Sequence, residues 1–246
     1  MQDGGLTMVN TGIFSSPPTK QKTVDIGRGD GEVATFLAWG ARSWDHNGTI
    51  RADDSDALEL AIDQLKRYLH RKGTYAIGYG GGTRYIEAVM RNIIISRANT
   101  DVSRTAFSAE FYAEDPFMTN GETGTLIDEE GVTSGDITFS LQGEGTYLVM
   151  PIFQITINAI DPDDSEVELV LTNTVENHML TIAGIFQAGD VITVDCANEE
   201  VYQNTTLIEA DGLFPLFAPD SGSLRYSDNA TTRDIDILAT YEKRFL

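Results

Sequence analysis

Cysteine is almost missing from this chain: Cys196 is the only one in 246 residues. An internal disulfide is therefore excluded, as is any CxxC metal or redox motif, and the composition fits a reducing compartment. Histidine is nearly as scarce. His46, His70 and His178 are the whole supply, and none has a partner at metal-ligand spacing. Long apolar runs are also lacking. No stretch approaches the ~18 apolar residues that a membrane-spanning helix needs. The first residues, "MQDGGLTMVNTGIFSS", lack a basic start followed by an apolar core. Synthesis in the cytosol is the expectation. The sequons at Asn47, Asn204 and Asn229 are then read as accidental.

Positive charge is short too, and unevenly so. The net charge is -21. Residues 1–118 hold 13 Lys/Arg against 15 Asp/Glu, a net of -2. Residues 119–246 hold 4 against 23, a net of -19. This split is the clearest sign of a domain boundary. The acidic half would repel phosphate, which argues against nucleic-acid recognition.

What is present reads as mainly β. Residues 1–20, with "SSPPTK", read as an extended arm. "KTVDIGR" and "EVATFLAW" read as strands, and Asn47-Gly48 as a hairpin turn with His46 beside it. One amphipathic helix follows in "DDSDALELAIDQLKRYLHRKG". Leu58, Ala61, Ile62, Leu65, Tyr68 and Leu69 share a face at 3.6-residue spacing, so Leu65 and Leu69 are expected inside. Acids at its start and bases at its end suit the helix dipole, and Gly73 is the expected C-terminal cap. "TYAIGY", the turn "GGGT", "RYIEAVMRNIIISR" and "SRTAFSAEFYA" complete the first half. In the last of these Phe107, Ala109, Phe111 and Ala113 alternate with more polar residues, the pattern of a half-buried strand.

Beyond residue 119 the expected strands are "DITFSLQ", "FQITINA", "EVELVLTN", "HMLTIAG", "DVITVDC", "TTLIEA" and "DIDILATYEKRF". Turn signals separate them, as in a β-sandwich. The "DGLFPLFAPDSG" corner and the apolar C-terminal strand are expected to close that sandwich, with Phe214 and Phe245 buried.

Chemistry is hard to find. "GYGGGTR" lacks the Lys-Ser/Thr of a phosphate loop, and hairpin glycine accounts for it better. "DPDDSE" (161–166) lacks the alternating ligands of an EF-hand and reads as a solvated turn. No catalytic, cofactor-binding or metal residue is assigned, and no cofactor is expected. Two other classes stay open. A carbohydrate-binding sandwich would need aromatic platforms, yet Trp39 and Trp44 both lie in the first half, leaving Tyr147, Tyr202, Tyr226 and Tyr241 in the second. A glycoside hydrolase would need a carboxylate pair, which no spacing singles out.

The order of the motifs resembles the distal tail protein family of siphoviruses, the phages with long non-contractile tails. The helix, the Gly-rich hairpin, "RYIEAVM" and "FSAEFYAEDPF" resemble the family's ring-forming domain, which ends at Asp115-Pro116-Phe117. "GTYLVMPIFQIT", "AGDVITVDC", "VYQN", "GLFPLFAPDSGSLRY" and "YEKRFL" resemble its galectin-like sandwich. One departure stands out: the turn after the Phe-Pro corner usually runs Pro-Gly-Asn, and here it reads Pro219-Asp220-Ser221-Gly222-Ser223.

The resemblance implies a fold and a role. The domains would be an arm (1–20), a sandwich or barrel-like ring-forming domain with one helix (21–118), and a galectin-like β-sandwich (119–246). The role would be that of a non-enzymatic virion subunit. It would form a homo-oligomeric, hexameric ring between the tail tube protein and the tip hub, with receptor-binding proteins as further neighbours. Neither nucleic-acid recognition nor membrane insertion is implied. No insertion of added sugar-binding modules interrupts the sandwich.

Overall fold

The computed structural model describes residues 7–25, 32–80, 82–96, 103–161 and 166–246. Its contacts divide the chain into two compact units, residues 1–118 with Leu246, and residues 119–245.

The first unit begins with β1 (Thr7–Thr11), β2 (Thr19–Asp25), β3 (Glu32–Trp39) and β4 (Arg42–Arg51). Helix α1 (Ser55–Leu69) follows, then β5 (Gly73–Tyr79), β6 (Gly82–Ser96) and β7 (Arg104–Ala113). Strands β1, β4, β7 and β6 are neighbours in that order, all antiparallel. Strand β5 pairs with the first half of β6, from Gly73 opposite Ala88 to Tyr79 opposite Gly82, while β7 pairs with its second half. An irregularity between Met90 and Asn92 interrupts β6 as its partner changes. The layers meet at Tyr75 of β5, whose ring lies 5.7 Å from that of Trp44 and 4.9 Å from that of Phe111. Strands β2 and β3 form a separate two-stranded ribbon.

Several local expectations change here. Residues 7–11, read as part of an arm, are a strand paired with β4. Asn47 and Gly48 are not a turn: they lie mid-strand, with Asn47 between Val9 and Ser108 and Gly48 between Met8 and Phe107. A turn dipeptide makes a hairpin only if its own flanks pair with each other, and here two other strands claim them. The helix starts where the charge pattern predicts. The Asp54 side chain accepts the Ala57 N–H at 2.8 Å, a standard N-cap. It ends earlier than Gly73, with His70 donating its backbone N–H to Lys66 O and Gly73 already opening β5. Leu58 and Ile62 are buried, and α1 packs on β4 and β6. Leu65 and Leu69 are only half-buried, and Tyr68 is 79% exposed. The buried stripe is narrower than the sequence periodicity, because a single sheet face covers it.

The second unit is a sandwich of two sheets. Its strands are β8 (Met118–Val132), β9 (Asp136–Leu141), β10 (Ile152–Asp161), β11 (Val167–Asn173), β12 (His178–Gly184), β13 (Val191–Asp195) and β14 (Glu200–Gln203). After these come β15 (Thr206–Ile208), β16 (Asp211–Gly212), β17 (Gly222–Asp228) and β18 (Thr232–Phe245). One sheet runs β8-β18-β10-β13-β14-β15, and the other β16-β12-β11-β17-β9. Period-2 side chains fill the space between them. Phe153, Ile155 and Ile157 stand opposite Ala239, Ile237 and Ile235 on one sheet. They meet Leu169, Leu171, Leu180, Ile182, Leu224 and Tyr226 in one buried cluster.

Strands β8, β14, β16 and β17 are not marked by the sequence pattern. Strand β8 is polar and glycine-rich because little of it is buried. Gly124 is needed there, since a Cβ would overlap the Tyr241 ring. Strand β17 follows the Phe-Pro corner directly and sits between β11 and β9. The corner itself is held by Phe217, whose backbone exchanges hydrogen bonds with Val149 at 2.8 and 3.1 Å. Phe217 is buried, whereas Phe214 and Phe245 are only half-buried. The corner's anchor is thus three residues later than expected.

Candidate functional site

The most unusual group of side chains lies on the inner face of β4. Alternation in "RSWDHNGTIR" turns Arg42, Trp44 and His46 inward, and all three are buried. His46 stacks on Tyr75, with centroids 5.0 Å apart, and meets Phe111 edge-on at 5.1 Å. Neither imidazole nitrogen has a hydrogen-bond partner, nor has Trp44 Nε1. Burial pushes the His46 pKa below its ordinary value, partly opposed by Asp45 next to it. Burial also raises the Tyr75 phenol to about 12. Nothing here makes a nucleophile or a proton relay. The group is an aromatic core with unpaired polar atoms.

His46 gives the first unit a pH dependence. The unfolded chain protonates this side chain near pH 6.5, while the folded one resists. Stability is therefore fully present above that pH and falls as pH drops below it, by about 1.4 kcal/mol per pH unit until the folded form also protonates. Urea unfolding from pH 7.5 to 5.0 is expected to show this slope in the parent and a flatter one in His46→Phe. Equal slopes would show that the folded state protonates His46 freely.

The other residues that the sequence offers for chemistry stay apart. His70 caps α1, and His178 faces Glu176 at 3.7 Å at the start of β12. Cys196 is a buried free thiol, its pKa pushed up by burial and Asp195. No cluster of three metal-ligating side chains occurs among the described residues. Of the "GGGT" glycines, Gly80 stands at φ +54 between β5 and β6, Gly82 already opens β6, and residue 81 lies outside the described residues. In the acidic 161–166 run, residues 162–165 lie outside the described residues. The second unit's tyrosines serve packing and hydrogen bonding. Tyr226 and Tyr241 are buried, Tyr202 donates to Glu200 Oε2 at 2.7 Å, and Arg244 lies over Tyr147.

Contact surface is more evident than chemistry. In the first unit Phe14, Leu60, Tyr68 and Ile94 are exposed apolar side chains. Leu60 and Tyr68 both lie on α1. In the second unit Met179 and Leu213 adjoin across β12 and β16, where the Leu213 N–H donates to Met179 O at 2.8 Å. Of these residues the sequence pattern singles out only Tyr68, and places it inside.

Residues 144–245 match the family model for the C-terminal domain of the siphovirus-type tail component. Among solved structures, the Dit protein of phage SPP1, described as a paradigm of the hub adsorption apparatus in phages that infect Gram-positive bacteria, has the same fold. The TM-score is 0.65 at 16% identity, covering 98% of this chain and 100% of that one. The activated baseplate of phage P2 aligns over 98% of this chain and 91% of that one, at 7% identity and a TM-score of 0.42. No sequence among the curated proteins matches the chain.

Proposed function

We propose that this chain is a distal tail protein of a siphovirus, a structural ring subunit of the tail tip and so part of the virion; the match of residues 144–245 to the C-terminal domain of the siphovirus-type tail component supports this reading. The match of its second unit to the tail-component family carries this reading. Several copies, six by the family resemblance, close a ring that joins the tail tube to the tip hub and the host-recognition apparatus. No catalysis belongs to this role.

A closed ring repeats one heterologous contact, so each copy presents two different complementary faces. Residues 1–118 suit this role. Their net charge of -2 lets copies approach, whereas residues 119–246 at -19 repel one another within the Debye length of about 8 Å at physiological salt. The exposed Phe14, Leu60, Tyr68 and Ile94 supply apolar contact area on the same unit. The acidic sandwich is then left for contacts with the other tip proteins.

Mass measurement of the purified protein by light scattering tests the proposal. The expected particle holds about six copies of the 26.9 kDa chain, with smaller species on dilution. A protein that stays monomeric at every concentration and is also absent from purified tail tips would overturn it.

A further inference from the structure

Arg42 opens β4 with its side chain turned inward and only 2% exposed. Its Nη1 donates to Ile13 O at 2.5 Å. Its Nε and Nη2 have no hydrogen-bond partner, and no ion pair to Arg42 occurs among the described residues. These two nitrogens share one edge of the guanidinium. That edge grips a carboxylate or phosphate through two parallel N–H bonds. A guanidinium stays charged in proteins, and a buried charge without an anion is costly. Burial lowers the Arg42 pKa, and Arg84, a charge of the same sign, adds to it.

The segment that holds the Nη1 side of Arg42 lies near the surface. Residues 12–18 run along the start of β4 and touch it repeatedly. Gly12 approaches Ser43 and Trp44, Ile13 accepts from Arg42, and Pro18 O accepts the Gly40 N–H. In that segment Phe14, Ser15 and Ser16 are exposed.

We propose that the Nε/Nη2 edge of Arg42 is an oxyanion site that takes a two-oxygen anion of carboxylate or phosphate type, admitted when residues 12–18 shift. Arg84 raises the local positive potential and so favours the same ligand. The anion comes from one of two sources, a free ion or an Asp or Glu side chain of a second copy. The free-ion arm does not depend on ring assembly.

The test uses the full chain, Arg42→Met and Arg84→Gln. Removing a buried, unpaired charge is expected to leave Arg42→Met folded. Thermal unfolding is followed while inorganic phosphate replaces chloride at constant ionic strength. General salt effects act on all three proteins alike, so the difference between them isolates the site. With a free ion as ligand, the parent gains stability with the logarithm of phosphate concentration, by about a 100-fold shift in the folding equilibrium at 100 times the Kd, and Arg42→Met does not. With a carboxylate from a second copy, phosphate has no differential effect. The parent then self-associates in chloride as concentration rises, and Arg42→Met associates at least tenfold more weakly. If Arg42→Met fails to fold, Arg84→Gln decides: a several-fold weaker phosphate response or self-association supports the site. Parent and variants that respond and associate alike would overturn it, leaving the edge to ordered water.

Discussion

Deleting residues 241–246 is expected to unfold the second unit. The six residues finish β18, which lies inside its sheet between β8 and β10. Tyr241 is buried against Gly124, and its hydroxyl accepts the Glu144 N–H at 2.5 Å. Lys243 reaches Glu122 and Glu144 at 3.1 and 3.0 Å, and Arg244 O accepts the Thr146 N–H at 3.0 Å. Loss of one buried aromatic side chain alone costs about 3–5 kcal/mol, a large part of a domain's stability of about 5–15 kcal/mol. The deletion also removes the end of β18 from the edge of β8 and so exposes part of that edge. Near-UV circular dichroism and limited proteolysis of the full-length and shortened proteins report the result. A shortened protein with the parent's spectrum and protease resistance would show that the last strand is a free arm. Phe245→Ala should cost less than Tyr241→Ala, since Phe245 is only half-buried.

Arg233→Met should be nearly as damaging. The Asp228 side chain is completely buried. It accepts from Tyr226 Oη at 2.8 Å, from the Ala230 N–H at 2.9 Å, and from Arg233 Nε and Nη2 at 3.0 and 2.8 Å. Arg233 also donates to Ala230 O and Thr133 O, so one guanidinium joins the turn before β18 to the chain before β9. The close approach needs Gly135, where a Cβ would lie 2.7 Å from the guanidinium carbon. Removing the cation alone leaves a buried carboxylate without its charge partner, at a cost of about 3–5 kcal/mol. The double variant Arg233→Met/Asp228→Asn should recover part of the loss, because the amide needs no counter-charge. Urea midpoints of the single and double variants check both statements. A single variant within about 1 kcal/mol of the parent would mean that water replaces the guanidinium.

The sequence by itself determined the elements whose pattern survives without a partner. Alternation in β7, β10, β11 and β18 marks which side chains face inward, whatever they pack on. The charge around α1 places its start at Asp54. The order of motifs was enough to identify the tail-protein resemblance. Tertiary structure decided what depends on a second segment. Asn47-Gly48 became mid-strand because β1 and β7 pair with it. Strand β8 was illegible because it is mostly polar and its Gly124 suits Tyr241, over 100 residues away in the chain, rather than a local turn. The same holds for Arg42. Alternation alone puts it inside, but only the packed unit shows that Nη1 meets Ile13 and that the opposite edge has no hydrogen-bond partner. Local propensity and period act over a few residues, while hydrogen-bond satisfaction and packing act between segments that the sequence brings no closer than the fold does.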